Sequence, residues 1–291
     1  MKVIVLNDTS NYHYGCKKVI EYLVKDLISN GHEILALIKG NIDQLSYPPA
    51  PEHYDQADAI IINGEGTMHH NRPIVFNYLE ILKNAKRLGK KTALINTVWQ
   101  DIKLDQETKE VLRDTYISVR EVLSQQELAK DDIQADVHLD LSYFNNVPEQ
   151  ITSHREYVVG KFFSQTDYRP TGIMSLDIFK NDWNSIVNLL RHTDWFITGR
   201  HHELYASCKA RCPFSALAGN TWKNEGLAKT AGVDILFARS DIKHSEIPRF
   251  VDQCKERRME YEKLFNWMES QPKWTSAVLE RQLCQKNIAL Q

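Results

Sequence analysis

Short apolar runs alternate along most of this chain with stretches whose apolar residues recur every three to four positions. Residues 2–6 form the first run and lead into a polar loop over 7–15. Val19, Ile20, Leu23, Val24, Leu27 and Ile28 then recur at helical spacing, until Asn30-Gly31 stops the helix. Residues 33–38 are again strand-like. The pattern continues with a strand at 59–62, a helix over 73–88 and a strand at 91–96. Short strands at 117–119 and 137–139 flank a helix over 124–130. Strand, helix, strand in this order predicts a parallel α/β sheet with right-handed crossovers.

At 291 residues the chain is about twice the length of a usual domain, so two domains are expected. Residues 145–154, with Pro148 and few apolar positions, read as the linker. A second α/β block follows, with strands at 157–159, 195–198, 213–217 and 235–237 and helices over 181–191 and from 202. From 245 the chain is helical and charged, and Leu264, Trp267, Met268 and Trp274 suggest a face that packs back on a domain. The expected division is 1–147, 155–245 and 246–291. Two Rossmann-like blocks make a cleft between them the default ligand site.

Lys and Arg total 36 against 38 Asp and Glu, so no basic excess points to nucleic acid. Residues 1–6 are too short a run for a signal peptide, and no apolar run reaches the roughly 18 residues of a membrane span. The expectation is a cytoplasmic protein, placed at the inner membrane face when its substrate is lipid-linked. Cys16, Cys208, Cys212, Cys254 and Cys284 are scattered and lack the paired spacing of a zinc site, so they read as reduced, mostly buried thiols.

The strongest local signal is Thr198-Gly199-Arg200-His201-His202-Glu203, where an apolar strand gives way to a helix. A helix amino end favours an anion, Arg200 can grip a carboxylate or phosphate, and His202 can move a proton near neutral pH. Read structurally, the same residues cap a helix. Past the next strand, Lys223 would project from the same sheet edge, or sit in a solvated loop. In the first block, Asn63-Gly64-Glu65-Gly66-Thr67-Met68-His69-His70 follows a strand. Gly64 and Gly66 allow close backbone approach to a phosphate or sugar hydroxyl, and Glu65 could orient or deprotonate an acceptor. Adjacent His69 and His70 make a poor metal site without further ligands. Arg120 ends another strand, either facing the ligand or pairing with a nearby acid. The loop around Asn11 could line a sugar pocket, with Tyr12 and Tyr14 stacking on the ring.

In order, these pieces resemble the polysaccharide pyruvyl transferase family over about residues 1–235. The carriers are the Asn11-to-Gly15 loop, Gly64-Glu65-Gly66-Thr67, Val119-Arg120-Glu121 with Ser124, Asp140-Leu141-Ser142, Gly199-Arg200-His201-His202, Pro213 and the Lys223 segment. The resemblance implies a two-domain fold similar to GT-B glycosyltransferases, closed by a C-terminal helical segment. It implies transfer of pyruvate from phosphoenolpyruvate to a sugar hydroxyl pair in bacterial cell-surface polysaccharide synthesis, on a sugar or lipid-linked oligosaccharide. By this resemblance His202 is the general acid, and Arg200, Arg120 and Lys223 bind the donor anion. Phosphoenolpyruvate is then a co-substrate, and no metal or other cofactor is required. Glu65 stands where the family carries a small residue, so it is expected to face the acceptor. Two alternatives stay open. One is a GT-B-like glycosyltransferase with a nucleotide-sugar or phosphosugar donor, its phosphates on Arg200 and Lys223 and Glu65 or His69 as base. The other is a non-catalytic glycan-binding protein.

Overall fold

The computed structural model describes residues 1–40, 51–161, 168, 170–177 and 180–279, the side chains of 51–53 excepted. They fall into two compact units. The first comprises Met1–Asn11, Ile20–Leu141 and a segment beginning at Pro272; the second comprises Tyr12–Val19 and Ser142–Gln271.

In chain order the first part of the chain gives β1 (Lys2–Asp8), α1 (Tyr14–Ser29), β2 (Glu33–Lys39), α2 (Pro51–Gln56), β3 (Ala59–Glu65) and α3 (Pro73–Arg87). It continues with β4 (Lys91–Thr97), α4 (Gln106–Asp114), β5 (Tyr116–Val119), α5 (Val122–Ala129) and β6 (Asp136–Val137). The strands form one sheet in the order β2-β1-β3-β4-β5-β6, every neighbour parallel. β3 and β5 are buried at every position and β1 and β4 at all but the first, the pattern of parallel strands covered on both faces. Pro73 sits in the first turn of α3, where its missing N–H costs nothing, and Val75, Tyr78, Leu79 and Leu82 pack into the core with Ile60, Ile62 and Leu94. α4 lacks a long apolar stripe. It is started by Asp105, whose carboxylate accepts from the Thr108 amide at 2.7 Å.

The second part gives β7 (Arg155–Val159), β8 (Met174–Ser175), α6 (Trp183–Arg191), β9 (Thr193–Thr198), α7 (His201–Ala210) and β10 (Phe214–Ala216). Then come α8 (Lys223–Ala231), α9 (Ile247–Lys255) and α10 (Arg258–Ser270). Its sheet runs β10-β9-β7-β8, again parallel. α10 packs on α7 and α8. Tyr261 donates from its hydroxyl to the Phe214 carbonyl at 2.5 Å, and Arg211 pairs with Glu262 at 2.6 Å and Glu269 at 2.9 Å. The helical tail expected from 245 therefore forms as α9 and α10; its last residues, 280–291, lie outside the described residues. The strand expected at 235–237 reduces to a single bridge between Phe237 and Ala216. Among the described residues no helix is long and apolar enough to cross a membrane. Cys16, Cys208, Cys212 and Cys254 are buried thiols outside any disulfide among the described residues, while Cys284 lies outside the described residues.

Each sheet has one point where successive crossovers leave in opposite directions: between β1 and β3 in the first, between β7 and β9 in the second. In open α/β sheets ligands collect outside the carboxyl ends of the strands at such a point.

Candidate functional site

In the second unit the switch point is built from the ends of β7 and β9 and the start of α7. Gly160 donates its amide to the Ile197 carbonyl at 2.8 Å, and Gly199 donates to the Lys161 carbonyl at 3.1 Å. Glu203, in the first turn of α7, drops into this junction. Its Oε2 accepts from the Thr198 hydroxyl at 2.5 Å and the Lys161 amide at 2.9 Å. The carboxylate comes so close to Gly160 that a Cβ there would lie 2.1 Å from Oε2, which requires glycine. Glu203 is 1% exposed, and its Oε1 has no partner among the described residues. Burial pushes its pKa up to about 7, against the pull of the Thr198 and Lys161 hydrogen bonds and the Arg200 charge.

Arg200 is the N-cap residue of α7 and makes no side-chain cap hydrogen bond. Burial lowers its pKa, opposed by Glu203, Tyr14 and Cys16. His201 and His202 open the helix, both buried. His201 donates from Nδ1 to Asn224 Oδ1 at 3.2 Å, which ties the start of α7 to the start of α8. Trp222, the N-cap residue of α8, likewise makes no side-chain cap hydrogen bond. Beside it Thr221 and Asn224 are buried, and Thr221 Oγ1 and Asn224 Nδ2 have no partner among the described residues. Lys223 is buried as the first residue of α8 and donates to Asn220 Oδ1 at 2.6 Å. It starts a helix where a loop was expected. The amino ends of α7 and α8, tied by His201 and Asn224, therefore follow β9 and β10, with Arg200 at the first, Lys223 at the second and two orphaned polar side chains beside the second. Exposed amides, positive helix ends and cations are the requirements of a phosphate site.

The first turn of α1 covers His202. The two rings of His13 and His202 meet edge to face at 5.0 Å, and a Cβ on Gly15 would lie 2.3 Å from His202 Cγ. Only glycine lets the helix backbone approach the imidazole this closely. Tyr14 is buried against Trp183, with ring centroids 5.9 Å apart, so it does not present the exposed stacking face expected of it. Its pKa is raised well above the usual phenol value, first by burial and then by Glu203. His13, Cys16 and His202 hold their ligating atoms within 4.8 Å of one another, spacing that could embrace a metal ion. The local hydrogen bonds argue otherwise: His13 Nδ1 accepts from the Gly15 amide at 3.2 Å, so a neutral ring carries its proton on Nε2, 3.4 Å from Cys16 Sγ.

In the first unit Asn7, Glu65 and Asn96 all adopt positive φ (64°, 40° and 53°) toward the carboxyl ends of β1, β3 and β4. Left-handed backbone at three non-glycine residues costs on the order of 1–3 kcal/mol each and clusters at functional sites. Side-chain bonds hold them: Asn7 Nδ2 donates to the Asn63 carbonyl at 2.5 Å, Asn96 Nδ2 to Asn63 Oδ1 at 3.3 Å, and Asn63 Nδ2 to Glu65 Oε1 at 3.2 Å. The Thr9 hydroxyl also donates to Glu65. Gly64 packs against Thr97, where a Cβ would lie 2.3 Å from Oγ1, and Thr67 closes a tight turn with its amide on the Gly64 carbonyl at 3.0 Å. Gly66 and Thr67 are half-buried, and Asn11 is exposed. Arg120 is buried on the same sheet, where Nη1 donates to Asp140 Oδ2 at 2.6 Å with both side chains closed to solvent.

Sequence reading named Arg200, His202 and Lys223, and they lie at the amino ends of α7 and α8, which His201 and Asn224 tie together. It named Gly64, Glu65, Gly66 and Thr67, and they share the first switch point. It passed over Glu203, Thr221 and Asn224. An acid three residues after a helix-capping position reads as an ordinary first-turn charge, and nothing local signals its burial.

No family model and no curated protein matches the sequence. Solved structures do. Among them, UDP-GlcNAc 2-epimerase from Neisseria meningitidis bound to UDP-GlcNAc is 10% identical, covering 91% of this chain and 94% of that one, with a TM-score of 0.56. Spinosyn forosaminyltransferase SpnP is 12% identical, covering 97% and 99%, with a TM-score of 0.53. Spinosyn rhamnosyltransferase SpnG is 10% identical, covering 97% and 100%, with a TM-score of 0.51. At these identities the likeness is one of fold: the chain is built of two parallel-sheet α/β units of the GT-B glycosyltransferase and epimerase type.

Proposed function

We propose that the protein is a glycosyltransferase-like enzyme that takes an activated sugar through its phosphates. The observation that carries this reading is the pairing of the α7 and α8 amino ends by His201 and Asn224, with Arg200 and Lys223 beside them. Helix ends and a guanidinium stabilise the charge that grows on a departing phosphate, and they do so without reorganising. Arg200 grips the phosphate; Lys223, Thr221 and Asn224 supply further donors. In the first unit, Glu65 is held as an acceptor by Thr9 and Asn63, which suits it to orient a sugar hydroxyl. The acceptor class is a sugar or a lipid-linked oligosaccharide. The fold shared with spinosyn glycosyltransferases and with a nucleotide-sugar epimerase supports the same reading.

Pyruvyl transfer from phosphoenolpyruvate is the second reading. The observation favouring it is His202, buried directly after the Arg200 and His201 pair and packed by Gly15, where an acid for the methylene carbon would stand. The two readings separate by product mass. Acceptor glycans are incubated with a panel of nucleotide sugars and, separately, with phosphoenolpyruvate. A hexose or deoxyhexose mass gain is expected. A pyruvate ketal gain with phosphate release would replace the first reading with the second, and no gain with retained glycan binding would sink both.

A further inference from the structure

Glu203 occupies the third position of α7, where an acid ordinarily reaches back to the amide of the N-cap residue. Here it does not. The Arg200 amide donates instead to Thr198 Oγ1 at 3.0 Å, and the Thr198 hydroxyl in turn donates to Glu203 Oε2 at 2.5 Å. The Lys161 amide holds the same oxygen at 2.9 Å, and Gly160 makes room for it. A buried carboxylate thus stands behind the cation at the start of α7, with Oε1 unpartnered among the described residues. The charged and titratable groups around it come from three elements. Arg200 and His202 flank it on α7, Lys161 follows β7, and Tyr14 and Cys16 lie on the first turn of α1, with His13 just before it. The charges of Arg200 and Lys161 favour the ionised acid, whereas burial and the unpartnered Oε1 favour the neutral one. Tyr14 and Cys16 act on Arg200 as well, and the His13 ring packs on that of His202.

Two demands on Arg200 compete. An ionised Glu203 gives the guanidinium a buried negative neighbour, and a phosphate arriving at Arg200 is repelled by that same charge. A neutral Glu203 leaves the charge of Arg200 to the ligand. Both states keep the bonds from Thr198 and Lys161, because a protonated acid carries its proton on Oε1 and still accepts at Oε2. The charge therefore changes without dismantling the start of α7. We propose that Glu203 is a positioning residue for the donor site: the site takes its anion with Glu203 neutral and loses affinity as Glu203 ionises. The proton comes from solvent on binding and returns to it on release, and no bond to the donor forms. The proposal rests on the donor reading and adds a proton to it. The effect is reciprocal by linkage. An anion at Arg200 raises the pKa of Glu203, already about 7, so binding takes up a proton near neutral pH and none at pH 5, where the acid is neutral in both states.

Calorimetry of the full chain with UDP-glucose, dTDP-glucose and GDP-mannose tests this, because their diphosphate diesters keep their charge from pH 5 to 8.5. Titrations repeated in buffers of different ionisation enthalpy count the protons. Wild type should lose about tenfold in affinity for its nucleotide sugar between pH 5.5 and 8.5, equivalent to a pKa shift of about one unit on binding. It should take up a fraction of a proton near pH 7.5 and none at pH 5. Glu203→Gln keeps an acceptor for Thr198 and Lys161 but carries no charge, so it should bind at pH 8.5 about as tightly as wild type does at pH 5.5. The imidazoles of His13 and His202 also gain charge toward low pH; only the part of the slope that Glu203→Gln removes belongs to Glu203. Carboxyl-carbon NMR of wild type needs no variant. The Glu203 titration should move up by about one unit when the nucleotide sugar is bound. Equal slopes and equal proton uptake in wild type and Glu203→Gln, or a Glu203 titration unmoved by ligand, would overturn the proposal and leave the donor reading standing. No binding of any of the three probes at any pH would remove the donor reading, and the proposal with it.

Discussion

At the switch point of the first sheet, Asn7, Asn63, Asn96, Thr9 and Glu65 hydrogen-bond to one another, and on the same sheet Arg120 pairs with Asp140 through Nη1 while its Nε is buried with no partner among the described residues. In the second unit, Glu203 Oε1 and Tyr14 Oη, and Thr221 Oγ1 and Asn224 Nδ2 at the start of α8 after β10, are buried with no partner among the described residues. The two regions are finished differently. A paired polar network fixes geometry, which suits the first to the neutral, hydroxyl-rich acceptor of the proposed reading. Thr221 and Asn224 are donors beside a helix amino end, and their desolvation cost is one that a bound anion would offset, as the proposed donor site requires.

Four substitutions test this contrast, the largest effect first. Arg120→Ala leaves Asp140 buried without its counter-charge and should destabilise the chain by about 3–5 kcal/mol in urea unfolding. The double change Arg120→Met with Asp140→Leu should recover much of that. A loss below 1 kcal/mol for the single change would mean that Arg120 is not a structural cation. Arg200→Ala should lower donor turnover by about 100- to 1,000-fold with little effect on unfolding. If instead stability falls and turnover holds, the second region is a frame like the first.

Glu203→Gln probes the buried acid. Its folded pKa, about 7, lies above the unfolded value of about 4.5, so its contribution to stability is complete below pH 4.5 and is lost as pH rises through 7. Wild type should therefore lose on the order of 3 kcal/mol relative to Glu203→Gln between pH 4.5 and 8. Parallel stability curves would show that Glu203 titrates normally. Gly15→Ala should cost about 1–3 kcal/mol by pressing a methyl group on the His202 ring. On the second reading, in which His202 is the acid, its effect on turnover should also exceed its effect on stability. Equal effects would reduce the contact to packing.

Much of the frame was legible before any coordinates. Periodicity located β1, β3, β4 and β9 because their apolar runs are uninterrupted, and it located α1 and α3 because their stripes are regular. α4 was missed because only Thr108 and Leu112 of its nine residues are buried, so no stripe exists to read; its signal was the Asp105 cap. Arg200, His202 and Glu65 stand out in the sequence because each sits where an apolar strand breaks into a polar turn. Glu203 was not, since its burial depends on Gly160, 43 positions earlier, coming within reach only when β7 pairs with β9. For Arg120 the sequence leaves both a ligand-facing and an acid-paired reading open for the same reason: Asp140, 20 residues on, becomes its partner only once the sheet forms.

The central claim is that a sugar donor is held by its phosphates at the paired amino ends of α7 and α8. Calorimetric titration of the full chain with a panel of nucleoside diphosphates tests it most directly. The account predicts saturable binding to wild type, weakened about tenfold or more in Arg200→Ala and also weakened in Lys223→Ala. Binding with equal affinity to wild type and both variants, or no binding across the panel, would contradict it.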